Sequence, residues 1–137
     1  MATRAVHTFT GFPCQHIHHL VFDHDGYPTG AAWRLAAALR ETPEPAAFLA
    51  AFLRSQPGAR PIATPEEAVD ADYRYGVELL PGLEAPLQVQ CWRRLPGSSA
   101  WHSRCGPMAL TTFIRRFLPG GPGDGSPFSA AAPADGR

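Results

Sequence analysis

The chain has 137 residues, with 12 arginines, 12 acidic side chains and a formal net charge of zero, a length that fits one ordinary domain rather than two. Neutrality argues against a protein that coats nucleic acid or an anionic membrane, because both require surplus positive charge. The sequence contains no lysine, which removes the P-loop lysine, Schiff-base chemistry and any lysine base.

An apolar share of 45% and an aromatic share of 10% suffice for a hydrophobic core. Alternation predicts a first strand over 5–10, a turn at Gly11, Phe12 and Pro13, and a second strand from about His16 to Asp23, the two pairing as a hairpin. The strand breaks at Asp25, Gly26, Tyr27 and Pro28. Thr29 then caps a helix whose Ala32, Leu35, Ala36 and Leu39 recur at helical spacing and which ends before Pro43. A second helix, entered through Pro43 and Pro45, carries Phe48, Leu49, Phe52 and Leu53 on one stripe. Thr64, Pro65, Glu66 and Glu67 form a capping box that predicts a turn or two of helix. Tyr73, Tyr75, Val77 and Leu79 alternate with polar residues, as do Leu87, Val89 and Cys91, and so predict a second hairpin. From Pro107 a last helix places Leu110, Phe113, Ile114 and Phe117 on one face. The expected fold is α+β in the order ββααββα, an antiparallel sheet of two hairpins packed by helices on one face. The globular domain is expected over 1–118. The Gly-, Pro- and Ala-rich segment 119–137 reads as a flexible tail.

Cys14, Cys91 and Cys105 form no CxxC pair and cannot all be bridged within one chain, which favours a reducing compartment. No apolar run reaches signal-peptide or membrane-spanning length, so the expectation is a cytoplasmic protein without a membrane partner. Cys14, His16 and His18, with His102 and Cys105 further on, are residue types that hold zinc; the competing reading is solvated histidines and buried thiols. Trp92 with Arg93 and Arg94, and Trp101 near Arg104, combine ring and cation as single-stranded nucleic-acid sites do; stacking on a sheet surface is the preferred reading, and nucleic acid is not expected as a partner.

The stretch Leu20, Val21, Phe22, Asp23, His24, Asp25, Gly26 resembles the first motif of haloacid-dehalogenase-type phosphohydrolases. That resemblance implies Asp23 as nucleophile, Asp25 as general acid/base, Mg²⁺ beside them and a doubly wound parallel sheet. It departs from the family pattern at Tyr27 and Pro28 and in the missing lysine. A longer resemblance, over residues 5–94, is to small phage and prophage proteins with a strand, an Asp-Gly-Tyr-Pro turn, a helix and a later acidic-x-Tyr-x-Tyr strand; here the matching residues are 20–28, Asp72 to Tyr75 and Val89 to Arg94. Asp23 stands where that group has His.

Physically, Asp25 can accept amides of the turn, Gly26 permits positive φ and Tyr27 can anchor the chain before Pro28. Alternatively, Asp23, His24, Asp25 and Tyr27 line a binding surface at a helix N-terminus, where free amides favour an anionic group. The reading taken forward is a non-enzymatic binding module of a mobile element, without a cofactor, that contacts a host or phage protein or a small anionic ligand through Asp23, His24, Asp25, Tyr27, Trp92 and Arg94. Inhibition of a host defence system is its most specific form and rests on the resemblance. The alternatives are the Mg²⁺-dependent hydrolase and a zinc-stabilised binding domain.

Overall fold

A computed structural model describes residues 3–13, 17–95 and 97–118. Strands β1 (Ala5–Thr10) and β2 (His18–Phe22) pair antiparallel, with Ala5 opposite Phe22. Helix α1 (Pro28–Glu41) follows, then a 3₁₀ turn at Pro45–Ala47 that leads into α2 (Phe48–Ser55). Strand β3 (Arg60–Ile62) and a 3₁₀ turn at Pro65–Glu67 precede β4 (Tyr73–Leu79), β5 (Leu87–Arg93), β6 (His102–Ala109) and α3 (Leu110–Phe117). The six strands form one sheet in the order β3-β2-β1-β4-β5-β6.

Strand β1 is central, antiparallel to β2 and parallel to β4, with Ala5 level with Tyr73 and Phe9 with Val77. Its odd-numbered residues join Leu20, Phe22, Tyr73, Tyr75, Val77, Val89 and Cys91 on the face that all three helices cover. Helix α1 meets this face through Ala32, Leu35 and Ala36, α2 through Phe48 and Phe52, and α3 through Leu110, Phe113 and Ile114. On the opposite face Val6 and Val21 are closed over by Ala68, Ala71, Ile62 and Trp101. The remainder of that face carries Thr8, Arg74, Gly76, Gln90 and Trp92 around an open hollow of about 170 Å³.

The α+β class, the first strand and the 73–79 and 87–93 strands follow the sequence reading. The sheet, however, is mixed rather than two antiparallel hairpins, because the β1–β4 edge joins the two hairpins in parallel. Two strands were not expected. β3 is three residues long and contains Pro61, too short to show alternation. β6 is exposed along most of its length and so has no apolar period, and the helix expected from Pro107 begins only at Leu110. Helix α1 starts one residue before the expected cap: Tyr27 is the N-cap residue, and Pro28 supplies a helical φ at the first position. The capping box at Thr64 and Glu67 forms but closes a single 3₁₀ turn. The segment 119–137, read as a tail, lies outside the described residues. Among the described residues no helix is long and apolar enough to cross a membrane.

His7 projects from the helix-covered face of β1 and is fully buried. Its ring lies 4.7 Å from that of Phe22, 5.0 Å from Tyr75 and 5.8 Å from Phe52. Neither ring nitrogen has a hydrogen-bond partner among the described residues. Burial, reinforced by the nearby Arg34 guanidinium, holds the imidazole pKa well below its ordinary value. The folded chain therefore keeps His7 neutral where the unfolded chain protonates it, at about pH 6.5 and below. Stability is full above that pH and falls as the solution is acidified, by at most about 1.4 kcal/mol per pH unit from this residue. Urea unfolding at about pH 7.5 and about pH 5.5 should show this loss, and His7→Leu should remove most of it. His19, also lowered chiefly by burial, supplies a remainder.

Candidate functional site

The turn between β2 and α1 is fixed from several sides. Asp25 takes φ 55°, a left-handed conformation that Asp tolerates better than most residues. The Gly26 amide donates to the Thr3 carbonyl at 2.9 Å, and its carbonyl accepts the Tyr75 hydroxyl at 2.6 Å. A Cβ at residue 26 would lie 2.8 Å from the Thr3 carbonyl oxygen, so only glycine lets the turn sit against β1. A Cβ at Gly30 would overlap the Asp25 carbonyl oxygen. Burial pushes the Tyr75 pKa upward, which keeps its hydroxyl a donor. Arg34 donates to the His24 carbonyl and lies over the Phe22 ring, 4.1 Å from its centroid.

Beside this turn opens a cleft of about 600 Å³, lined by Asp25, Tyr27, Trp33, Arg34 and Gln56 together with Thr29 and Gly30 at the start of α1. Tyr27 and Trp33 are 56% and 50% exposed, although one side of the Tyr27 ring packs on Tyr73, 5.8 Å between centroids. The first-turn amides of Thr29 and Gly30 face no carbonyl within the helix. One guanidinium nitrogen of Arg34, Nη1, is buried without a partner among the described residues. Burial lowers the Arg34 pKa, and the neighbouring Asp25 carboxylate opposes that shift. The cleft thus offers an under-satisfied fork donor, two backbone amides, two aromatic faces and one carboxylate.

The other residues singled out in the sequence lie in different settings. Asp23 pairs with Arg4 and Arg60, each at 3.2 Å, and Arg4 also meets Asp70. These pairs are well exposed and each contributes at most about 1 kcal/mol, but together they hold the Asp23 carboxylate on arginines. Strand β2, which ends at Phe22 just before Asp23, has an antiparallel neighbour on each side, unlike the parallel strand that the phosphohydrolase resemblance implies. His24 is exposed. Trp92 lies on the open sheet face over Gly76, where a Cβ would come within 3.1 Å of its ring, and the Arg74 guanidinium sits 5.4 Å from the ring centroid. Arg94 is committed to architecture: it donates to the carbonyls of Ala68, Val69 and Ala71 and lies 4.3 Å from the Trp101 ring centroid.

Of the zinc candidates, Cys14 and His16 fall outside the described residues. His18 is in β2, whereas His102 and Cys105 are in β6, four strands across the sheet. Four spacings of about 4.8 Å separate them by roughly 19 Å, so these three do not meet at one ion. Among the described residues no three His, Cys, Asp or Glu side chains gather as a metal site. The sequence reading did not single out His7, Trp33, Arg34 or Gln56. Only His7 carried a signal, since alternation with Ala5 and Phe9 places it on the core face. No protein-family model, curated protein or solved structure matches the chain.

Two substitutions test the construction of the turn. Tyr75→Phe leaves the Gly26 carbonyl without its donor and should cost about 1–2 kcal/mol in urea unfolding. Gly30→Ala forces a methyl against the Asp25 carbonyl and should cost about 1–3 kcal/mol, more than an ordinary exposed Gly→Ala change in a helix, which stabilises.

Proposed function

We propose that the protein is a non-enzymatic binding module whose cleft beside the 24–27 turn captures a small anionic ligand with a flat aromatic part. The observation that carries this reading is that Arg34, whose buried Nη1 has no partner among the described residues, lines a cleft flanked by the exposed rings of Tyr27 and Trp33. A phosphate or carboxylate reaching Arg34 and the Thr29 and Gly30 amides satisfies donors that the protein leaves open. A ring in the ligand stacks on Trp33 or Tyr27. Asp25 favours a ligand that also carries a donor, such as an amine or hydroxyl, over a bare anion. The rigidity of the turn supports binding, because a preformed site loses little entropy when occupied. A mobile-element origin, and interference with a host defence by sequestering such a ligand, extends the proposal on the resemblance of the turn and of the 72–75 and 89–94 segments to small phage proteins.

Phenyl phosphate is a suitable probe, followed by tryptophan fluorescence. A saturable change is expected, lost in Trp33→Phe and weakened about tenfold or more in Arg34→Lys, which keeps the charge but not the fork. No saturable change at millimolar probe, or equal affinity in Arg34→Lys, overturns the reading. Release of phenol in the presence of Mg²⁺, abolished by Asp23→Asn, would replace it with phosphoryl chemistry at Asp23 and Asp25.

A further inference from the structure

Strands β5 and β6 slip register on both sides of Cys91, between Val89 and Cys91 and again between Cys91 and Trp92, yet Cys91 stays directly opposite Cys105. Opposed residues on antiparallel strands project from the same face, with Cα atoms about 4.5–5.5 Å apart. That separation lies within the span of about 4.4–6.8 Å that a disulfide bridges. Both thiols are free, and Cys105 lies close enough to help raise the Cys91 pKa. Their environments differ: Cys91 is buried in the core beneath the helices, while Cys105 is half-buried in the edge strand.

We propose that Cys91 and Cys105 are a modification site that forms a reversible cross-strand disulfide by exchange with a low-molecular-weight disulfide. The asymmetry of the pair sets the order of events. Burial, with Cys105 alongside, pushes the Cys91 thiol up to about 12, so it stays protonated and shielded. Cys105, the reachable thiol, attacks first as its thiolate: a bond forms from its sulfur to one sulfur of the small disulfide, the small S–S bond breaks, and one small thiolate leaves. Cys91, directly opposite on β5, then attacks the Cys105 sulfur. The protein S–S bond forms, the second small thiol departs, and it takes the Cys91 proton. Two protein thiols are oxidised and one small disulfide is reduced to two thiols. This site lies at the β5–β6 side of the sheet and does not depend on the ligand reading of the cleft.

The test is incubation of the folded full chain with oxidised glutathione, followed by acid quench, alkylation in denaturant and peptide mapping. The expected product is a peptide linking Cys91 to Cys105, formed equally in Cys14→Ser, with both thiols again alkylated after treatment with dithiothreitol. In Cys91→Ser the reaction should stop at a glutathione adduct on Cys105. Full alkylation of both Cys91 and Cys105 after the oxidant, or a link made chiefly to Cys14, overturns the proposal.

Discussion

The hydrogen bond from the Tyr75 hydroxyl to the Gly26 carbonyl joins the two halves of this protein at the point where the chain leaves the sheet for its first helix. Tyr75 belongs to β4 and Gly26 to the turn after β2, and between those strands lies β1, whose leading segment holds the same glycine through the Thr3 carbonyl. A buried carbonyl at a sharp turn needs a donor, and water is not available beneath the helices. The tyrosine supplies that donor while its ring fills the core, which is why a polar side chain can occupy so central a position. The position of α1, and with it the spacing of Trp33 and Arg34 from the turn, follows from this link.

A local asymmetry runs through the molecule. One face of the sheet is sealed by three helices around aromatic residues, and the other is largely polar, with Trp92 laid over Gly76. The buried face contains groups whose polar demands are incompletely met among the described residues, His7, the Nη1 atom of Arg34 and the Nε atom of Arg93 among them. Unmet donors and acceptors in a native core oppose folding, so they persist where another requirement holds them. For Arg34 the proposed ligand is that requirement. His7 shares the aromatic box with Phe22, against which Arg34 stacks, so a cation at the cleft is felt as a lowered proton affinity in the core.

The sequence was most legible where a local pattern meets a single physical cause. Alternation found β4 and β5 because each has one buried and one open face, and helical spacing found the core stripes of α1, α2 and α3 except at Leu53, which is exposed. β6 was illegible because an edge strand that buries only Cys105, Met108 and Ala109, each in part, has no alternation to show. The parallel pairing of β1 with β4 was illegible for a different reason: strand order is decided by packing among elements far apart in the chain. At the site, Asp25, Gly26 and Tyr27 were visible as a turn, and the contacts that fix it support a structural role for the turn itself. Arg34 was invisible, because one arginine on a helix has the same spacing whether it faces solvent or stacks on Phe22. Arg94 gave the opposite error, a cation beside an aromatic ring whose donors are already taken by loop carbonyls.

The parallel β1–β4 pair also governs the order in which the molecule can be assembled. Ala5 meets Tyr73 only after 67 intervening residues, Val6 to Asp72, have been looped out, whereas β4 and β5 pair across a short connection. A growing chain on the ribosome therefore makes β1, β2, α1 and α2 long before the strand that clamps the turn exists. Until β4 emerges, Gly26 has no tyrosine to hold it and the cleft has no fixed shape. The shape of the cleft is thus a property of the whole described fold, and a chain cut anywhere before Tyr75 lacks the hydroxyl that holds the turn in place.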